Sequence, residues 1–199
     1  RYDDVQRVID DPELFSSQQT FRRRRSPSEE GKTVRTLLWA DPPHHRQLRS
    51  LVSQAFTPRT ISGLAMRITQ ITHTHLDAVA TQGTMDIIND LANPLPIIVI
   101  AELLGIPTQD QQQFKSWSDS IVSPARLEKK QAVIAMNAYF LNIISHRRQQ
   151  QQDDLISALL NAQLDGASLS DAELLNFCRL LLVAGHETST NLIGNALLT

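Results

Sequence analysis

The sequence predicts a mainly α-helical fold with at most minor β structure. Apolar residues recur at intervals of three and four in most segments, and proline or glycine separates one segment from the next. The last segment, residues 171–199, contains no proline and therefore predicts one helix of roughly 40 Å, at about 1.5 Å per residue. No repeat or change of composition divides the chain. We therefore expect one unit over residues 1–199.

Composition and charge exclude several classes of protein. The 199 residues are 41% hydrophobic with a net charge of −2, which is ordinary for a globular protein with one core and does not indicate nucleic-acid binding. Cys178 is the single cysteine, so an internal disulfide framework is excluded. No apolar run approaches the roughly 20 residues of a membrane span. A cytoplasmic protein fits best, and the absence of a methionine before Arg1 is consistent with a missing start.

The N-terminal segment predicts a short helix and a long loop. Val5, Val8 and Ile9 have helical spacing, and the helix should end before Pro12. Residues 16–32 are polar and irregular, with four consecutive arginines at positions 22–25. These arginines are typical of a solvated charge run, with docking of an acidic partner or a phosphate as the alternative.

The next helix carries two cations in an unusual position. Asp41 followed by two prolines predicts a helix start with a carboxylate at the cap, and the helix should run to Phe56. His45 and Arg49 lie four residues apart at the edge of its apolar stripe, so both should point towards the interior. Buried cations need an anionic partner, which a ligand would provide. Alternatively, both side chains reach solvent or pair with a distant acid.

The middle of the chain reads as further helices with one strand. Residues 83–88 are the one convincing strand candidate. The predicted helices cover residues 57–80, 97–104, 109–122, 125–149 and 153–162. An Asp165-Gly166 turn should precede the last helix.

The last helix has a well-marked start. Ser170 and Glu173 have capping-box spacing, and Leu169 and Leu174 can form a hydrophobic staple around them. The helix should therefore begin near Asp171 and continue to the end of the sequence.

Two consecutive polar residues, Glu187 and Thr188, interrupt the apolar sequence of this helix and are called the polar step below. Phe177, Leu180, Leu181, Ala184 and Thr188 follow one another at three- and four-residue intervals and should share a face. Glu187 and Thr188 would be costly in a core unless satisfied, so we expect chemistry there, with Ala184 and Gly185 removing bulk beside them. The Thr188 hydroxyl can bond back to the Ala184 carbonyl. In the alternative interpretation, Thr188 is only a back-bonded core threonine and Gly185 a packing glycine.

Two segments together resemble the cytochrome P450 family of haem-thiolate monooxygenases, in its soluble bacterial form. They are Asp41-Pro42-Pro43-His44-His45-Arg46-Gln47-Leu48-Arg49 and Ala184-Gly185-His186-Glu187-Thr188. Intervening segments at residues 11–17, 55–59 and 95–107 match in the right order. The resemblance implies the distal, I-helix-centred half of the cytochrome P450 fold, from its B helix to its I helix. Residues 1–199 would then be a single incomplete domain.

The resemblance implies a role for each unusual residue. His45 and Arg49 would hold a propionate of haem b. Ala184, Gly185 and Thr188 would lie beside the distal haem face with room for dioxygen, and Glu187 and Thr188 would manage protons there. Leu180, Val183 and Ala184 would face a hydrophobic substrate. The loop at residues 18–32 and the Ser123-Pro124 hinge would correspond to substrate-access regions.

The implied activity is insertion of one oxygen atom of O2 into a hydrophobic small molecule. Electrons would come from a ferredoxin- or flavodoxin-like donor. The family's thiolate ligand is expected beyond Thr199, so no metal ligand is assigned within this chain, and the segment alone should be inactive. Cys178 is not a substitute, because it lies inside a helix and should be a packed thiol.

The alternative that remains is a haem-free helical binding or regulatory domain derived from the same fold. A metallohydrolase is a third possibility, because His186 and Glu187 begin a zinc-protease pattern. It fails on position, because Thr190 stands where the second histidine is required.

Overall fold

Helices form most of the chain that the structure, a computed structural model, describes: residues 1–18, 36–122 and 125–198. The α-helices are α1 (Tyr2–Asp10), α2 (His44–Ala55), α3 (Pro58–Ala80), α4 (Pro94–Leu103), α5 (Gln111–Val122), α6 (Arg126–Gln149), α7 (Leu155–Asn161) and α8 (Asp171–Leu198). Within these ranges the β structure is limited to an isolated antiparallel bridge between Leu164 and Ala167. The mainly α prediction is confirmed, and most helix bounds agree with it to within two residues.

Much of the core lies where α8 packs against α4, α5 and α6. Helices α5 and α6 also pack against each other. Fully buried side chains from these helices fill the space between them: Ile97, Phe114, Met136, Phe140, Ile144, Leu174 and Leu182. Phe114 and Phe140 meet edge to face with ring centroids 6.0 Å apart, an arrangement that aromatic pairs favour.

The predicted strand at residues 83–88 is wrong. The chain there leads into a π-helix, Ile87–Ala92, that joins directly to α4. Asp86 explains the difference, because its carboxylate accepts hydrogen bonds from the backbone N–H groups of Ile88 and Asn89. This side-chain cap starts a helical turn and overrides the β propensity of the two isoleucines.

The start of α2 also differs from the prediction. The helix begins at His44, after a cis peptide bond between Pro42 and Pro43. Asp41 does not cap it, because its carboxylate accepts hydrogen bonds from the Ser17 N–H and the Ser16 hydroxyl. Asp41 therefore ties the segment after α1 to the start of α2.

A buried ion pair joins the end of α6 to the loop after α4 and to the loop before α7. Arg147, at the end of α6, donates hydrogen bonds to the Asp154 carboxylate and to the Gly105 carbonyl. Asp154 also caps α7 by accepting from the Ser157 N–H at 2.8 Å. Gly105 has φ +69°, and a Cβ there would overlap the Asp154 side chain, so this approach requires glycine.

The turn before α8 follows the sequence prediction. Asp165 and Gly166 both adopt positive φ, with the Leu164 and Ala167 backbones paired across them, as in a type I′ turn. The arginine run at residues 22–25, most of the predicted 16–32 loop and the Ser123-Pro124 hinge lie outside the described residues. None of the described helices is long and apolar enough to cross a membrane.

Candidate active site

The start of α8 is built as the capping box predicts. The Glu173 N–H donates to the Ser170 hydroxyl at 3.3 Å, and the Ser170 N–H donates to the Glu173 carboxylate at 2.9 Å. Leu169 and Leu174 are both buried, in agreement with the predicted staple. The long helix is therefore fixed at its N-terminus before it reaches the polar step.

The polar step of α8 is exposed in the described chain, not buried as predicted. Most of the buried positions of the helix form one stripe at intervals of four residues, Leu174, Cys178, Leu182 and His186, with Phe177 and Gly194 also buried. Ala184, Glu187 and Thr188 face away from this stripe and are exposed. Because α8 is apolar on most sides, periodicity alone did not determine which side packs. An acid and an alcohol thus stand side by side on an accessible face.

The small residues Ala184 and Gly185, which precede the polar step, have different surroundings. The Thr188 hydroxyl donates to the Ala184 carbonyl, as predicted. Gly185 lies against α4, and a Cβ there would be 2.8 Å from Ile100 Cδ1. This contact supports the packing interpretation of Gly185, while its predicted place beside a cofactor stays a prediction.

His186 forms a buried bridge between helices that the sequence analysis missed. The side chain is buried, and its Nδ1 lies 2.8 Å from the Ser118 hydroxyl on α5. Its Nε2 bonds Asn93 Oδ1, at the junction of the π-helix and α4. Burial lowers the pKa of His186, and the nearby positive charge of Lys115 lowers it further. The negative charges of Asp119 and Glu187 act in the opposite direction. The available signal was its position four residues after Leu182, in the buried stripe.

The same side of α8 is fastened to the π-helix further along. The Thr190 hydroxyl donates to the Ala92 carbonyl at 3.0 Å. Gly194 lies so close to Ile88 that a Cβ would be 2.6 Å from its Cδ1. Polar and close contacts at residues 186, 190 and 194 therefore hold one side of the helix, leaving Glu187 and Thr188 on the free side.

The helix with the two predicted cations lies beside α8. Phe56, just after α2, meets Phe177 edge to face at 6.2 Å, and His44 Nε2 lies 3.5 Å from Glu173 Oε1. His45 is half-buried, but Arg49 is exposed, so the expectation that both point into the interior is wrong for Arg49. Neither pairs with an acid among the described residues.

Two of the predicted substrate-facing residues line a cavity. Leu180 and Val183 contribute to a space of about 200 Å³ between α8, the end of α5 and the 3₁₀ turn Leu37–Trp39. The remaining lining residues are Thr36, Leu38, Trp39, Ile121, Asn176 and Arg179. Ala184, the third predicted substrate residue, lies outside this lining.

A second cavity lies against the polar step. It measures about 300 Å³ and is lined mainly by polar groups: Asn93, Asp119, His186, Glu187, Thr190 and Asn191, with Ile88. Glu187 therefore borders both the exposed face of α8 and a polar space that solvent molecules can occupy.

Cys178 is a packed thiol, as predicted. Its side chain is fully buried, and burial raises its pKa to about 12. No group of three or more potential metal-ligating side chains occurs among the described residues, so neither Cys178 nor His186 belongs to a metal cluster there. The described part of the chain thus gives no support to the metallohydrolase alternative.

Comparisons with known proteins identify the family and the fold of the chain. The cytochrome P450 family model matches residues 97–199. Cytochrome P450 109 of Bacillus spizizenii is 42% identical over 98% of this chain and 48% of its own length. The substrate-free crystal structure of CYP109E1 from Bacillus megaterium superposes with a TM-score of 0.90 at 38% identity, covering 100% of this chain and 54% of that one.

A relative with a named reaction is also similar. Erythromycin C-12 hydroxylase of Saccharopolyspora erythraea is 42% identical over 100% of this chain and 51% of its own length. The chain spans about half the length of the relatives it matches. With the family model covering more than half of its residues, the chain belongs to the cytochrome P450 family.

Proposed function

We propose that the complete protein is a haem-dependent monooxygenase that inserts one oxygen atom of O2 into a hydrophobic small organic molecule. The observation that carries the proposal is the exposed pair Glu187 and Thr188 on α8, opposite the side that packs against α4 and α5. The family match supports it, and relatives include a hydroxylase and the cyclomarin C epoxidase of Salinispora arenicola.

The side chains present fit a haem group. Arg49 and His45 offer a guanidinium and an imidazole that no acid of the described chain engages, and both suit a propionate carboxylate. Ala184 and Thr188 present a small exposed surface that a flat ring can approach. Haem, when bound, supplies the iron at which dioxygen is activated. Its thiolate ligand is expected from a cysteine beyond Thr199.

The geometry of Thr188 determines what its hydroxyl can do. Its proton is donated to the Ala184 carbonyl, so the lone pairs of the oxygen remain available. Thr188 therefore acts first as a hydrogen-bond acceptor, orienting a protonated group on the exposed face. Glu187, next to it and bordering the polar cavity, exchanges protons with solvent there.

The substrate side of the proposal rests on apolar side chains. Leu180 and Val183 face Leu38 and Trp39 across the smaller cavity, which favours a hydrophobic molecule. Ala184 continues this surface towards Thr188 one turn further along. The ferredoxin- or flavodoxin-like electron donor and the cytoplasmic location stay predictions.

The deciding experiment is a reduced, carbon-monoxide-bound absorption spectrum of the complete protein. If the protein is a monooxygenase, haem should copurify with it, and the spectrum should contain the band typical of thiolate-ligated haem. A complete protein without haem, in a folded state, would instead establish the haem-free binding domain and overturn the proposal.

A further inference from the structure

Arg179 is a half-buried cation without a partner in the part of the chain that the structure describes. Its guanidinium forms no hydrogen bond or ion pair there. Its side chain is partly removed from water, and this burial lowers the pKa of Arg179. An arginine in this position is unusual, because five N–H donors need acceptors once solvent is displaced.

Arg179 lines the same cavity as Leu180 and Val183. It lies one turn before Val183 on α8, so the three side chains form one continuous wall. The opposite wall is apolar and comes from Leu38, Trp39 and Ile121, which leaves Arg179 as the one charged lining residue of the described chain.

The polar lining residues leave the charge of Arg179 uncompensated. Asn176 and Thr36 are neutral, and the Thr36 hydroxyl accepts from the Trp39 N–H. Asp119 lies near the end of α5 but pairs with Lys115 at 3.1 Å and borders the other cavity. Nothing in the described lining neutralises the guanidinium, so an anion entering the cavity would meet it directly.

We propose that Arg179 anchors the carboxylate of an elongated apolar substrate, with the hydrocarbon part lying along Leu180 and Val183 towards Thr188. The inference rests on the proposed function and names the substrate class of that site. A guanidinium binds a carboxylate through two parallel N–H···O bonds, and a partly dry cavity strengthens them. The volume of about 200 Å³ is below the roughly 300 Å³ of small ligand sites, as expected for one end of a longer site.

The test measures binding calorimetrically on the complete protein, with dodecanoate and dodecan-1-ol as matched probes. We expect dodecanoate to bind the unmodified protein at least about tenfold more tightly than the alcohol, the range that a charge-assisted hydrogen bond supplies. Arg179→Gln should abolish this preference, and Arg179→Lys should retain part of it. Arg126→Gln, an exposed arginine on α6, is the control and should leave the preference unchanged.

The outcomes separate this inference from the proposed function. Equal affinity for the two probes, or an equal loss of both in the Arg179→Gln protein, would overturn the inference. A charge-reversed variant, Arg179→Glu, should bind dodecyltrimethylammonium more tightly than dodecanoate. If this variant still binds dodecanoate more tightly, the inference is also overturned. Because calorimetry does not depend on the haem spectrum, a carboxylate preference without a thiolate band would sustain the anchor and reject the monooxygenase.

Discussion

Ser118 and His186 are joined by a buried hydrogen bond of 2.8 Å that ties α5 to the middle of α8. Asn93 Oδ1 can only accept, so the imidazole Nε2 carries the proton and donates to it. Nδ1 is then the acceptor for the Ser118 hydroxyl. A neutral imidazole thus bridges α5, the start of α4 and α8, one residue before Glu187.

This bridge predicts a loss of stability at mildly acidic pH. The folded state lowers the pKa of His186 below its ordinary value of 6.5, so the unfolded chain binds the proton more readily. The stabilisation is complete above about pH 6.5 and is lost as the pH falls towards the folded-state pKa. One such group contributes a slope of up to about 1.4 kcal/mol per pH unit to the free energy of unfolding.

Urea denaturation of the complete protein at several pH values measures this slope. His186→Gln should reduce it, because the amide keeps a donor for Asn93 but does not titrate. His73→Gln, at an exposed position on α3, is the matched control and should retain the slope. An unchanged slope in the His186→Gln protein would show that another group controls the acid transition.

Thr188→Ala should separate electron consumption from product formation in the complete protein. Loss of the hydroxyl removes the acceptor on the exposed face of α8, so we expect product per electron to fall roughly tenfold, with peroxide rising to match. Product, reductant and peroxide are measured together. Thr69→Ala removes an identical local bond, from a threonine hydroxyl to the carbonyl of Ala65 on α3, and should leave coupling unchanged. Full coupling in the Thr188→Ala protein would contradict its proposed role.

The pair His45 and Arg49 should control haem retention. Replacing both with leucine removes the proposed propionate donors, and each charge-assisted hydrogen bond contributes about 1.5–3 kcal/mol. We therefore expect haem per protein after purification to fall, while the folded fraction stays the same because Arg49 is exposed. His73→Leu combined with Arg126→Leu removes the same two side-chain types from exposed positions on other helices. Equal haem content in both double variants would argue against the assignment.

Several features that local chemistry decides were predicted from the sequence. The capping box at Ser170 and Glu173 and the back-bond of Thr188 both depend on residues three or four positions away. Asp86 is a local effect that the sequence analysis missed, because its hydrogen bonds to the N–H groups of Ile88 and Asn89 start a π-helix where β propensity predicted a strand.

The orientation of α8 needed tertiary information. Its sequence is apolar on most sides, so the periodicity did not identify the face that packs. It also did not predict that Glu187 is exposed. His186 was missed for a related reason, because its partners Ser118 and Asn93 lie 68 and 93 residues away in the sequence. Contacts over such separations leave no signal in a single sequence.

The buried pair Arg147 and Asp154 should be more important for stability than any exposed pair. Their side chains are 10% and 3% exposed, so Arg147→Met leaves a carboxylate uncompensated and should cost about 3–5 kcal/mol. Arg148→Met breaks a neighbouring pair with Asp171, whose side chains are 49% and 52% exposed, and should cost less than about 1 kcal/mol. Denaturant unfolding compares the two, and similar losses would contradict the assigned burial.

Gly185 and Ile100 should be energetically coupled. Gly185→Ala raises helix propensity by about 1 kcal/mol but places a Cβ 2.8 Å from Ile100 Cδ1, so that methyl group must move. In the unmodified protein these effects oppose each other and the net change in unfolding free energy should be small.

Ile100→Val deletes the atom in conflict and makes the coupling measurable. In that background Gly185→Ala should stabilise by about 1 kcal/mol, since only the propensity gain remains. The double-mutant cycle therefore assigns Gly185 to packing between α4 and α8 if the two backgrounds differ by that amount. Identical effects in both backgrounds would remove the packing explanation and leave the proposed place of Gly185 beside the cofactor as the remaining interpretation.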